Sequence, residues 1–258
     1  MVPSKLFQNL CKLLNLHILK LDYCCELEKV PDSLVRLKAL QQLSLEDCES
    51  LSVLAPHVGK LSSLRNLSTY LVGLERGFLL EELGPLKLKR DVEIKYLERV
   101  KSVNDAKEAN MSSKQLNKLT LTWKVFIERE VEYDEVLEDL EQTWESSGEG
   151  ELDGYDEEVL EDHEQTWESS GEGELEGNDE EVLDEKVLEA LQPCTETLQS
   201  LIVEGYYGVC FPEWISSPSL RYLTDLVLWN CGNCVQLPVL GKLPSLNYLQ
   251  IVGSTWVR

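Results

Sequence analysis

Residues 16–30, LHILKLDYCCELEKV, and residues 40–54, LQQLSLEDCESLSVL, carry the same residue types at the same places. Leu16, Leu19, Leu21, Cys24, Leu27 and Val30 reappear 24 positions later as Leu40, Leu43, Leu45, Cys48, Leu51 and Leu54. Leu64, Leu67 and Thr69 begin a less complete third copy, so the frame is LxxLxLxxC. In its LxL centre, successive side chains leave a short strand on opposite faces, the leucines one way and their neighbours the other. A single unit cannot bury its leucines. Stacked units with parallel strands join them into one apolar column, each unit touching only its neighbours.

The frame returns near the C-terminus at Leu198, Leu201 and Val203, then at Leu223, Leu226, Leu228 and Cys231, then at Leu246, Leu249 and Ile251. Between the two sets, RDVEI at 90–94 and LNKLTLTW at 116–123 supply degraded copies, for about eight units in all. A period of 20–29 residues with this frame is that of leucine-rich repeats. VPDSLVRLKAL at 30–40 and LPVLGKLPSL at 237–246 place a proline after an apolar residue and then return to leucine, which predicts irregular return segments. Short helices are predicted at 103–111 (VNDAKEANM) and 184–193 (DEKVLEALQP), the second stopped by Pro193. The fold class is an α/β repeat: a leucine-rich repeat solenoid, an irregular horseshoe with parallel strands on the concave face, interrupted by an acidic disordered insertion.

That insertion holds most of the charge. The chain has a formal net charge of -23, yet residues 128–189 contain 28 of its 47 acidic residues and only Arg129 and Lys186 of its 24 basic ones. The rest is nearly neutral. YDEVLEDLEQTWESSGEGELDG at 133–154 is followed by YDEEVLEDHEQTWESSGEGELEG at 155–177, a tandem copy too acidic and too rich in Gly and Ser to offset the entropy of ordering it. The expected organisation is repeats at 1–127, a mostly disordered acidic insertion at 128–189, and repeats again at 190–258, with strands 116–123 and 198–203 able to stack across the gap.

Cys231 and Cys234 have the spacing that opens many zinc sites, but a tetrahedral site needs two further ligands, no second CxxC occurs, and His17, His57 and His163 show no ligand spacing. Cys231 also occupies the turn position that Cys24 and Cys48 hold in their own units, so the repeat accounts for it and no metal is expected. Eight cysteines without a secretory signal fit a reducing compartment. No window is long and apolar enough for a membrane span, no nucleic-acid partner is expected, and no nucleophile and base set suggests an enzyme.

Five stretches in order then resemble one family: LAPHVGKLSSLRNLSTYLVG at 54–73, LEELGPLKLKRDVEIKYLERVKSVNDAKEANM at 80–111, LTLTW at 119–123, VLEALQPCTETLQSLIVEGYYGVCFPEWI at 187–215 and LVLWNCGNCVQLPVLGKLPSLNYLQI at 226–251. They look like the leucine-rich repeat region of plant coiled-coil nucleotide-binding leucine-rich repeat (NLR) disease-resistance proteins. The resemblance implies a cytoplasmic recognition module of an innate immune receptor. Its partner would be a protein: a pathogen effector, a host target, or the receptor's own nucleotide-binding domain. The phosphate loop GxxxxGK[ST] does not occur, since Gly59-Lys60 and Gly241-Lys242 lack both the upstream Gly and the following Ser or Thr. No cofactor is therefore expected in this chain; ATP or ADP would belong to a nucleotide-binding domain, and the chain looks like a fragment of a longer receptor. The alternatives are a stand-alone adaptor or the ectodomain of a surface receptor.

On this reading the binding surface is the set of strand residues between the leucines, expected to form a nearly neutral, mixed face. They are Lys20 and Asp22, then Gln42, Ser44 and Glu46, then Arg65, Asn66 and Ser68. Later strands add Thr120 and Thr122, Ile202 and Glu204, Asp225, Val227 and Trp229, and finally Tyr248 and Gln250. Trp229 and Tyr248 are the candidate anchors, because exposed aromatics dominate interface energies. Trp123 and Trp214 are expected to pack internally.

Overall fold

A computed structural model of the chain describes residues 10, 12–123 and 176–253. The chain divides into one unit of Met1–Val125 with Leu175–Arg258 and another of Phe126–Glu174. All the described strands belong to the first. β1 (Ile18–Lys20), β2 (Gln42–Ser44) and β3 (Asn66–Leu67) form one parallel ladder, and β4 (Thr69–Leu71), β5 (Lys89–Lys95), β6 (Gln115–Thr122), β7 (Ser200–Glu204), β8 (Asp225–Trp229) and β9 (Tyr248–Val252) form a second. Leu19 stands opposite Leu43 and Leu43 opposite Leu67, so the 24-residue period is the strand register itself.

The two ladders meet in a single stretch. β3 and β4 flank Ser68, whose N–H donates to the Leu43 carbonyl at 3.1 Å while its own carbonyl accepts from the Glu93 N–H at 2.8 Å. Its Oγ accepts from the Leu45 N–H at 2.7 Å, replacing a ladder bond. Counting 66–71 once leaves eight strand positions, as the repeat count implies. The break adds one residue to the alternation: Tyr70, not the expected Thr69, stands opposite Ile94 in the column. Such a shift turns side chains over because the strand period is two. The buried Tyr70 hydroxyl donates to the carbonyls of Phe78 and Leu79 at 3.1 and 2.6 Å.

β6 pairs directly with β7, Leu119 opposite Leu201 and Leu121 opposite Val203, so the stacking expected across the acidic segment is present. Residues 124–175, where most of that segment lies, fall outside the described residues. The folded chain is in place again before residue 190. Helix α2 (Glu176–Ala190) starts eight residues ahead of the expected 184, with Val187, Leu188 and Leu191 fully buried. The acidic residues ahead of that apolar face extend the helix, since Glu is a good helix former and negative charge is favoured at a helix N-terminus. Helix α1 (Val103–Glu108) begins at Ser102, whose Oγ accepts from the Asn104 N–H at 3.2 Å.

Elsewhere the returns are short 3-10 turns, as the prolines imply. Asp32–Arg36 follows Pro31 and Glu213–Ser216 follows Pro212. Carboxylates cap the convex turns across neighbouring units. Glu82 accepts from the Gly59 N–H at 3.1 Å and bonds the His57 ring at 3.0 Å, while Asp105 accepts from the N–H groups of Leu80 and Glu81 at 3.3 and 2.6 Å. Glu185 of α2 accepts from Val209 and Cys210 at 2.9 and 3.0 Å. Gly59 is required here, because a Cβ would lie 2.6 Å from the Glu82 carbonyl oxygen. Lys114, fully buried, spans the turn at 83–86 by donating from Nζ to the carbonyls of Leu83 and Leu86 at 2.8 and 2.9 Å.

At strand exits the chain turns through a residue with positive φ: Tyr23, Asp47, Tyr96, Gly205, Asn230 and Gly253. In three units it directly precedes the repeat cysteine, at Cys24, Cys48 and Cys231. Left-handed backbone is costly for a residue with a Cβ, more so for Tyr than for Asn or Asp.

Candidate recognition surface

The outward residues of the long ladder align in rows across the strands. Glu93, Thr120, Ile202, Val227 and Gln250 make one row, and Lys95, Thr122, Glu204, Trp229 and Val252 make the next. The whole first row, with Glu204 and Trp229 of the second, lines a concavity of 590 Å³. Eight of the expected surface residues line it: Glu46, Ser68, Thr120, Ile202, Glu204, Val227, Trp229 and Gln250. Trp229 is 43% exposed and Tyr248, on β9, is 49% exposed.

Other expected residues sit differently. Ser44 is buried, and Thr120, although in the lining, is almost wholly enclosed. Ser68 Oγ is committed to the Leu45 N–H, and Asp22 Oδ1 to the Glu46 N–H at 3.1 Å. Arg65 precedes β3, and its Nη1 donates to the carbonyls of Ser62 and Leu64, both at 3.0 Å. Lys20, Gln42 and Asn66 lie on the short ladder, and Thr122 Oγ1 lies 3.5 Å from Glu204 Oε2. Asp225 opens β8 one row beyond Val227.

Sequence reasoning missed strand β5 as a source of surface residues. Asp91 and Glu93 line the concavity, with Asp47, Thr69 and Lys118. The signal was present, since DVEIK at 91–95 alternates polar and apolar residues as a half-buried strand does. Their addition corrects the expected charge: Glu46, Asp47, Asp91, Glu93 and Glu204 face a single lining amine, Lys118, so the concavity is acidic rather than neutral. Burial, and then the nearby charge of Glu93, raise the Glu204 carboxyl above its ordinary value. Glu93 is bridged to Lys95 Nζ at 3.3 Å.

The cysteines behave as turn residues. Cys231 and Cys234 are buried, the first with its Sγ toward the carbonyls of Val203 and Trp229, the second donating to that of Gly208 at 3.1 Å. Burial pushes the Cys231 thiol up to about 12 and raises that of Cys234 further. Among the described residues no three His, Cys, Asp or Glu side chains gather as a metal would require. Trp214 is buried, its Nε1 donating to the Leu188 carbonyl at 3.1 Å, and Trp123 packs edge-on against Tyr206 with ring centroids 5.2 Å apart.

Residues 80–147 and 152–254 match the family model described as R13L1/DRL21 leucine-rich repeats. The chain belongs to the R13L1/DRL21 leucine-rich repeat family. Relatives of this family member are plant disease-resistance proteins. It is 32% identical over 194 residues to disease resistance protein RGA2 of Solanum bulbocastanum, a match covering 75% of this chain and 15% of that protein. It is 31% identical over 211 residues to the putative disease resistance protein RGA1 of the same species, covering 81% of this chain and 16% of that protein. With the putative disease resistance RPP13-like protein 1 of Arabidopsis thaliana the identity is 31% over 193 residues, 74% of this chain and 14% of the relative. This R13L1/DRL21 chain thus spans about 15% of the length of the curated relatives it matches. Among its described residues no helix is long and apolar enough to cross a membrane.

Proposed function

We propose that this chain is the protein-recognition module of a cytoplasmic plant immune receptor, and that the concave strand face holds the partner. The partner is a pathogen effector, a host target, or the nucleotide-binding domain of the receptor, which would also carry the ADP or ATP. The observation that carries this reading is Trp229, a large aromatic left exposed on a parallel ladder, beside Ile202, Val227 and Glu204 in a recess of 590 Å³. An aromatic held open in a recess with apolar neighbours is how interface anchors are arranged. The comparisons support the immune setting through the relatives' names.

The test is a binding series with a nucleotide-binding domain supplied in trans, comparing deletion of 133–177 with Trp229→Ala plus Tyr248→Ala. The strand substitutions are expected to speed dissociation, weakening the complex by about 2 kcal/mol or more. The deletion is expected to slow association and flatten its salt dependence, because charge chiefly steers encounter. If deletion alone abolishes binding while the strand substitutions change nothing, the concave face is not the recognition surface.

A further inference from the structure

Resting on the reading of the concave face as the recognition surface, we propose that its occupant is a basic segment of a partner protein. A lysine or arginine of that segment sits against Glu93 and Glu204, its hydrocarbon stem lying along Ile202, Val227 and Trp229. Three observations lead there. The lining places five carboxylates, Glu46, Asp47, Asp91, Glu93 and Glu204, around one amine, Lys118, and even with Lys95, which bridges Glu93 at 3.3 Å from outside the lining, acids outnumber amines five to two. That imbalance is built into the ladder: β5 offers Asp91 and Glu93 in alternate outward places, and β7 brings Glu204 to the same concavity. The carboxylates also share the concavity with apolar side chains, Ile202 paired to Val227 and Glu204 paired to Trp229 across β7 and β8.

A long cationic side chain is the group that fits both features. Its methylenes cover apolar surface while its charged end reaches a carboxylate, and an indole face attracts a cation directly. Glu204 adds a physical reason for the charge sign. Burial and the repulsion of Glu93 disfavour its ionised form by more than the Thr122 hydroxyl and the Lys95 charge favour it, and an incoming cation relieves that repulsion. The same field excludes other occupants. Nucleic acid would bring phosphates to five carboxylates, and an acidic peptide would be repelled likewise. A bound cation would hold no cage, since no group of three possible ligands gathers among the described residues.

A phage-displayed random dodecapeptide library panned on the full chain tests this. Peptides rich in Arg and Lys are expected to be enriched, and each to bind about tenfold more weakly to Glu93→Gln/Glu204→Gln, with a flatter salt dependence. The control Glu149→Gln/Glu151→Gln removes the same charge from the acidic segment, which basic peptides could also contact, and is expected to leave affinity unchanged. Thermal melting of each variant, expected to overlay on the parent, separates lost binding from lost folding. Neutral or acidic peptides that nonetheless lose affinity in Trp229→Ala would overturn the basic occupant and leave the concave surface standing. Peptides indifferent to every strand substitution would overturn both, and so would the absence of any enriched peptide.

Discussion

The two ladders differ in a way that runs against the sequence. Residues 16–54 repeat almost perfectly, yet they form strands of only three residues, Ile18–Lys20 and Gln42–Ser44. The degraded copies form the longest strands, seven residues at Lys89–Lys95 and eight at Gln115–Thr122. A strict repeat records regular turns, because turn positions such as Cys24 and Cys48 admit few residue types. Strand length answers to something else: alternation sustained beyond the LxL core, as in Asp91 to Lys95 and Leu119 to Thr122, with residues that favour extended backbone. The proposed recognition surface therefore lies mainly where the repeat is hardest to read.

The largest expected effect tests whether the long ladder carries the stability. Leu119→Ala, at a wholly buried position paired on both sides, is expected to cost about 3 to 4 kcal/mol in urea unfolding, whereas Leu19→Ala on β1 is expected to cost roughly half as much. Equal costs would dissolve the distinction between the ladders.

A middle effect comes from Lys114, just ahead of β6. Lys114→Met leaves the Leu83 and Leu86 carbonyls without their donor and is expected to cost about 1 to 3 kcal/mol. Burial holds this amine down at about 8, below the ordinary lysine value, so between pH 8 and roughly 10.5 the unfolded chain binds the extra proton. Lys114 therefore makes stability rise with pH across that window, and the variant is expected to lack this contribution. A melting curve that responds to alkali identically in both proteins would contradict the assignment.

Most of the architecture was legible because the leucine column and the register are one fact: a spacing of 24 in the chain is a pairing across the ladder. What was not legible sits where backbone geometry departs from that rule. Ser68 diverts the ladder through its own hydroxyl, and nothing in RNLSTYL announces that Tyr70 replaces Thr69 in the column. The positive φ at Tyr23 and Tyr96 is equally hidden, since Tyr is a poor signal for left-handed backbone, whereas Gly205, Asn230 and Gly253 are good ones. Among the surface residues, Trp229 and Glu204 followed from strand alternation. Asp47 did not, because it enters the concavity from a turn.

The smallest effect sharpens the junction between the ladders. Ser68→Ala removes the acceptor for the Leu45 N–H and is expected to cost about 1 kcal/mol, with faster hydrogen exchange at Leu45 and little change at Ile94. If exchange quickens equally at both, the ladders open as one body rather than at a seam.

The carboxylate caps bear on how such a chain can lengthen. The turn at 58–60 is held by Glu82 from the turn at 80–83, and that turn is held in its place by Asp105 from α1. Each fastening reaches 23 to 25 positions along the chain, one unit forward. A genetic insertion of one whole unit in phase carries in both a turn to be held and an acid to hold the turn before it. An insertion out of phase leaves a carboxylate facing no N–H group and a turn with none to accept from it. Among these turns, lengthening by a whole unit therefore keeps every fastening, and lengthening by any other amount costs at least one.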